Sequence, residues 1–266
     1  MKGKEIRLNR LRDAGDGRSF VVAADHPFLT GPSEGTSDLG KTLAKVVRGR
    51  PDAILLGLSR ARQLAHLFEG RRGPALIVRA DWFSAPRIFS DHAPMHSIDK
   101  FIAASAEEAF AAGAEAVMAY YLAGLTPAFE EVCWAQVCRL LKECESLGLP
   151  LIVEPLIGNL ALAPEGKNEL LLEACRVLTG LGASALKVPF VDDAGLKALT
   201  GEVEIPVWVL GGEKVKEDVA CEMASKYISL GASGIVFGRN VIQADDPEKT
   251  GLRLREIVHG SRGAAS

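Results

Sequence analysis

Lys187, in the run Ala183-Ser-Ala-Leu-Lys-Val-Pro-Phe190, ends a segment that is otherwise apolar. An ammonium group there is expensive to desolvate. A lysine so placed can shed its proton and act as an amine nucleophile toward a carbonyl compound. The bland alternative is a strand-end lysine that snorkels to water. Imine chemistry also needs a positive or apolar setting, an acid/base and an anchor for the substrate. Arg79 could supply the charge and, with Asp81 two residues on, bind the substrate, while Asp25, Glu154, Tyr120, Tyr121 or Asp81 could supply the acid/base. The pair Gly211-Gly212 and the run Gly238-Arg239-Asn240 could hold a phosphate on backbone N–H groups; Lys214 reads as a loop lysine beside them.

These residues share a position: each closes a short aliphatic run. Eight such runs recur at Arg18–Ala24, Asp52–Leu58, Pro74–Ala80, Glu115–Tyr120, Leu149–Glu154, Ala183–Pro189, Ile205–Leu210 and Ser233–Phe237. They are not amphipathic, as parallel strands buried on both faces should be. The segments between them are richer in Ala, Leu, Glu and Lys, and helical spacing predicts helices over Phe101–Ala112, Pro127–Leu147 and Lys216–Leu230. Eight βα units make a single-domain α/β fold, a (β/α)8 TIM barrel spanning residues 1–266, whose active site lies at the C-terminal strand ends. A doubly wound sheet would place a glycine-rich turn after the first strand, where this chain has Asp25-His-Pro-Phe28.

Period-two alternation puts Lys187 on the face of Ala185 and Ala183, and Asp25 on that of Ala23 and Val21, with His26 opposite. Residues 1–16 are expected to form a short helical lead-in that closes the barrel bottom. Residues 261–266 read as a disordered tail. The Pro-bearing connection Trp82–Asp99 is expected to lie over the mouth.

Composition narrows the function further. The chain has 266 residues, 48% of them hydrophobic and 24% charged, with a formal net charge of −3. No basic run suggests a nucleic-acid surface, and neither a signal peptide nor a membrane span is read. The five cysteines, with no close-spaced pair among them, read as reduced thiols of a cytoplasmic protein. Those at 133, 138 and 144 share one predicted helix and read as packing residues. His92 and His96 lie in the Pro-bearing loop and are not read as metal ligands. Neither a metal nor a cofactor is expected.

Asp25-His26, Lys187-Val-Pro189, Gly211-Gly-Glu-Lys214 and Gly231-Ala-Ser-Gly-Ile-Val-Phe-Gly-Arg-Asn240 together resemble the class I aldolases of the DeoC/LacD superfamily. The branch most resembled holds archaeal-type fructose-bisphosphate aldolase and aminodideoxyheptulosonate synthase. Arg7-Leu-Asn-Arg-Leu11 and Asp16-Gly-Arg18 resemble its lead-in. The resemblance implies a carbon–carbon lyase acting on a phosphorylated sugar or keto compound, and a ring-like homo-oligomer. It implies a Schiff base on Lys187, proton transfer by Asp25, and phosphate binding at Gly211, Gly212, Gly238 and Arg239. Two positions depart from it. Pro27 replaces a glycine, and Val153-Glu-Pro-Leu156 stands where several branches carry a catalytic tyrosine, which leaves Glu154, Tyr120, Tyr121 and Asp81 as candidate replacements. Two rival functions share the fold: acyl transfer to coenzyme A through the same lysine, and sugar-phosphate binding without catalysis.

Overall fold

The computed structural model describes residues 2–31, 34–70, 73–84, 99–158 and 161–260. Eight parallel strands close into a barrel: β1 (Ser19–Ala23), β2 (Ala53–Gly57), β3 (Ala75–Arg79), β4 (Ala116–Ala123), β5 (Leu151–Ile157), β6 (Ala185–Val188), β7 (Val207–Leu210) and β8 (Gly234–Phe237). Each pairs with its neighbours in chain order, and β8 returns to β1 through Ser19↔Gly234 to Val22↔Phe237. Gly234 is required at that seam, since a Cβ there would lie 2.2 Å from the Ser19 carbonyl oxygen.

The strands are buried on both faces because helices cover the outside while side chains fill the inside. Val21, Leu55, Ile77, Met118, Ile152 and Val236 meet in the interior with the small residues Ala23, Ala53, Ala116 and Ala185. Those alanines leave room for Trp208, which is fully buried among them. Ala183, expected beneath Lys187, precedes the strand and packs instead in the outer layer.

At the bottom, the helix Lys2–Arg10 is followed by Leu11, which is completely buried in the interior cluster. The last helix, Pro247–His259, is tied to the same end. His259 lies 2.9 Å from Asp16 through Nδ1 and 2.9 Å from Asp52 through Nε2. Arg255 bonds Asp52, and Arg18 donates to the carbonyl of Val258.

The helices Pro127–Leu147 and Glu217–Ser229 match the helical spacing. On the first, Cys133 and Cys144 are buried and Cys138 is half-buried. The expected helix over Phe101–Ala112 begins only at Ala106, behind a Ser105–Glu108 capping box. Its first residues are drawn into a two-stranded antiparallel ribbon, Asp81–Phe83 against Lys100–Ile102. Of the connection between the ribbon's strands, residues 85–98, including His92 and His96, lie outside the described residues, as does the tail 261–266. Among the described residues no helix is long and apolar enough to cross a membrane.

Candidate active site

Strand parity carries Lys187 inward above Ala185, and the same rule brings Arg79 in with Ile77, Tyr120 with Met118 and Glu154 with Ile152. Tyr120 and Glu154 are direct partners across β4 and β5. The ladder from β5 to β6 is registered only at Ile152↔Ala185 and Val153↔Leu186. Past that point β5 runs on without a β6 partner, which is where Pro155 is tolerated and where Glu154 meets Lys187.

The four charges form one buried chain. Lys187 Nζ is 2.9 Å from Glu154 Oε1, and the other Glu154 oxygen accepts from Arg79 Nη2. Arg79 Nε donates to Asp25 Oδ2 at 2.9 Å. All four residues are at most 4% exposed. Their burial is costly, and only the alternation of sign and the hydrogen bonds offset it. The Tyr120 ring lies under the Arg79 guanidinium at 3.7 Å, with Phe83 packed edge-on against it.

This setting biases each proton. Burial alone would push the Asp25 carboxyl up, but Arg79 and Lys187 outweigh it and hold it below the usual carboxylate range. Burial raises the Tyr120 hydroxyl well above its ordinary value; Arg79 opposes this and the carboxylates of Glu154 and Asp25 reinforce it, so the phenol stays protonated. Burial, with Lys187 and Arg239, lowers His26 despite Asp25 nearby, which favours a neutral imidazole.

A cavity of about 680 Å³ opens above this chain, lined by Lys187, Glu154, Tyr120, His26, Gly211, Gly212, Gly238 and Arg239, with Leu29, Phe83 and Leu156 forming an apolar side. The volume suits a small organic ligand. Of the anticipated residues, Lys187, Glu154 and the four of the two turns reach it. Asp25 and Arg79 lie beneath it, bonded to each other, and Asp81 is turned away to meet Lys100 at 2.8 Å and the Tyr120 N–H. Tyr121 points out of the barrel, toward Glu130.

His26 was placed opposite the site by alternation, yet it lines the cavity. β1 ends at Ala23, and Asp25 turns into the helix His26–Thr30, so period two no longer applies. The histidine beside the aspartate was the available signal. Lys100 left none, because the sequence before it has no periodicity.

Side-chain hydrogen bonds tie the two turns into a cradle. Gly211 spends its N–H on the Val236 carbonyl, and a Cβ there would lie 2.8 Å from the Phe237 ring. Its contribution is therefore space. Gly212 adopts φ 64°, a left-handed conformation that favours glycine. Asn240 stitches the loop by donating to the Gly211 carbonyl at 2.9 Å and accepting from the Val215 N–H at 2.9 Å. Arg239 bonds Glu213 at 2.5 Å and the Gly212 carbonyl at 3.0 Å. Lys214 is folded back onto the Gln243 carbonyl.

Comparison with known proteins gives this geometry its context. The family model described as DeoC/LacD family aldolase matches residues 19–244. An uncharacterised aldolase of Saccharolobus solfataricus is 28% identical, covering 97% of this chain and 95% of its own. The 2-amino-3,7-dideoxy-D-threo-hept-6-ulosonate synthase 1 of Archaeoglobus fulgidus is 28% identical over 98% of this chain and 93% of its own. The solved structure of a Schiff base forming fructose-1,6-bisphosphate aldolase superposes with a TM-score of 0.80 at 25% identity, covering 97% of this chain and 100% of that one.

Proposed function

Because the chain belongs to the DeoC/LacD family of aldolases, we propose that it makes or breaks a carbon–carbon bond in a phosphorylated sugar or keto compound through a Schiff base on Lys187. The observation that carries this reading is the 2.9 Å contact between Lys187 Nζ and Glu154 Oε1 at the floor of the cavity. Glu154 takes a proton from the ammonium, and the free amine adds to the substrate carbonyl carbon. Glu154 then returns the proton to the carbinolamine oxygen, which leaves as water, and an iminium ion forms. In cleavage the substrate hydroxyl loses its proton to Glu154 as the carbon–carbon bond breaks, and the bonding electrons enter the iminium to give an enamine. Protonation on carbon and hydrolysis release the second product and restore the amine.

Tyr120, held protonated, donates a hydrogen bond to the oxygen that changes charge in that step. Asp25 acts from beneath, by holding Arg79 against Glu154. The cradle receives the phosphate with Arg239 beside it, leaving the reacting carbonyl near Lys187. The family match does not favour acyl transfer to coenzyme A or binding without catalysis. A cytoplasmic, ring-like homo-oligomer completes the proposal, and light scattering reads the assembly.

Borohydride reduction with a panel of phosphorylated and unphosphorylated carbonyl compounds, followed by mass spectrometry, tests the chemistry. The expected result is a stable adduct on the Lys187 peptide that is absent from Lys187→Ala. Turnover of a confirmed substrate with Lys187 left unmodified would overturn it.

A further inference from the structure

Arg79 is contested by three carboxylates. It bonds Asp25 and Glu154, and its third nitrogen, Nη1, lies 3.8 Å from Asp81 Oδ1. Both of these atoms are buried and neither has a hydrogen-bond partner among the described residues. On the far side of Asp81, Lys100 Nζ sits 2.8 Å from Oδ2, with its side chain fully buried. Lys100 is fixed in turn by Gln136, which accepts from its ammonium at 2.7 Å and donates to its carbonyl at 3.0 Å. Asp81 Oδ2 also accepts the Tyr120 N–H at 2.8 Å.

We propose that Lys100 is a positioning residue for the Lys187 reaction: by neutralising Asp81 it leaves the Arg79 guanidinium committed to Glu154. This rests on the reading that Glu154 carries the Lys187 proton. Without the Lys100 charge, Asp81 becomes the strongest unpaired carboxylate near Arg79. Arg79 Nη1 then closes on Asp81 and draws away from Glu154. Glu154, faced by Lys187, Arg79 and Tyr120, then loses one of its two cationic partners. The other groups around the contest are Asp25 with His26 on one side and the Cys133 thiol on the other. None of these supplies a replacement positive charge at Asp81.

The test compares the pH dependence of kcat/KM for Lys100→Gln, for Lys100→Arg and for the double variant Lys100→Gln/Asp81→Asn. Lys100→Gln should move the acid limb up by about one pH unit or more, with a larger loss in kcat at the acid end than at the alkaline end. Lys100→Arg should restore the limb. The double variant has no charge left to compete for Arg79 and should recover most of the loss. A double variant no better than Lys100→Gln, or a loss equal at every pH, would overturn the proposal. If Lys100→Gln does not fold, the folded double variant decides, because a need for the Lys100 charge itself would leave it inactive. Borohydride trapping on wild-type Lys187 separates the two ideas: its failure removes the Schiff-base reading, while an altered pH profile with trapping intact concerns Lys100 alone.

Discussion

Among the residues at the mouth, Tyr120 has the most specific consequence. Its hydroxyl makes no hydrogen bond among the described residues, and its ring is clamped between Arg79 and Phe83 in the cavity wall. Tyr120→Phe should keep the clamp and remove only the hydroxyl. Imine formation, proposed to run through Lys187 and Glu154, is expected to persist, while the carbon–carbon step slows by about 10²–10³-fold. Single-turnover trapping measured alongside steady-state turnover separates the two; trapping and turnover falling together would refute that division of labour. The site was legible where strand parity holds. Lys187 and Glu154 close predicted runs and reach the cavity, and the two glycine turns follow their strands. Parity fails just past a strand end, as at His26, and it does not report which carboxylate an arginine chooses. That choice placed Asp81 on Lys100 rather than on substrate.

At the level of elements, the last helix and the lead-in are coupled by His259. Both ring nitrogens face carboxylates, an arrangement that only the imidazolium satisfies with two donors. Burial opposes that charge, but Asp52 and Asp16 outweigh it and raise His259 above its usual 6.5. A raised folded value means that the stabilisation is fully present below 6.5 and is lost as pH rises through the folded value. His259→Gln should therefore lower unfolding stability by about 1–2 kcal/mol on the acid side of that range, with the gap to wild type narrowing as pH rises. Urea titrations across pH measure it, and a gap that widens with pH would contradict the assignment. All eight strands were readable because a buried parallel strand needs a continuous apolar run. The ribbon was not, since Lys-Phe-Ile and Asp-Trp-Phe become strands only by meeting across a connection of no fixed period.

For the molecule as a whole, the barrel divides its tasks between two ends. The mouth concentrates buried charge, and the bottom is sealed by Leu11. Leu11→Ala removes a completely buried side chain from the interior and is expected to cost about 2–5 kcal/mol. Because the plug lies at the opposite end from Lys187, kcat of the folded variant should stay close to wild type. Chemical denaturation and turnover on the same samples would show it; a matching fall in kcat would mean that the two ends are coupled.

The seam between Ser19 and Gly234 also bears on how the protein is made. The first strand's partner on that side is the eighth strand, so the emerging chain carries an open β1 edge until β8 has left the ribosome. Such long-range pairing is slow and leaves apolar strand surface open to other chains in the meantime. Ribosome-bound chains that stop short of Gly234 are therefore expected to aggregate more readily than chains that include β8, and closure of the barrel waits for its eighth strand.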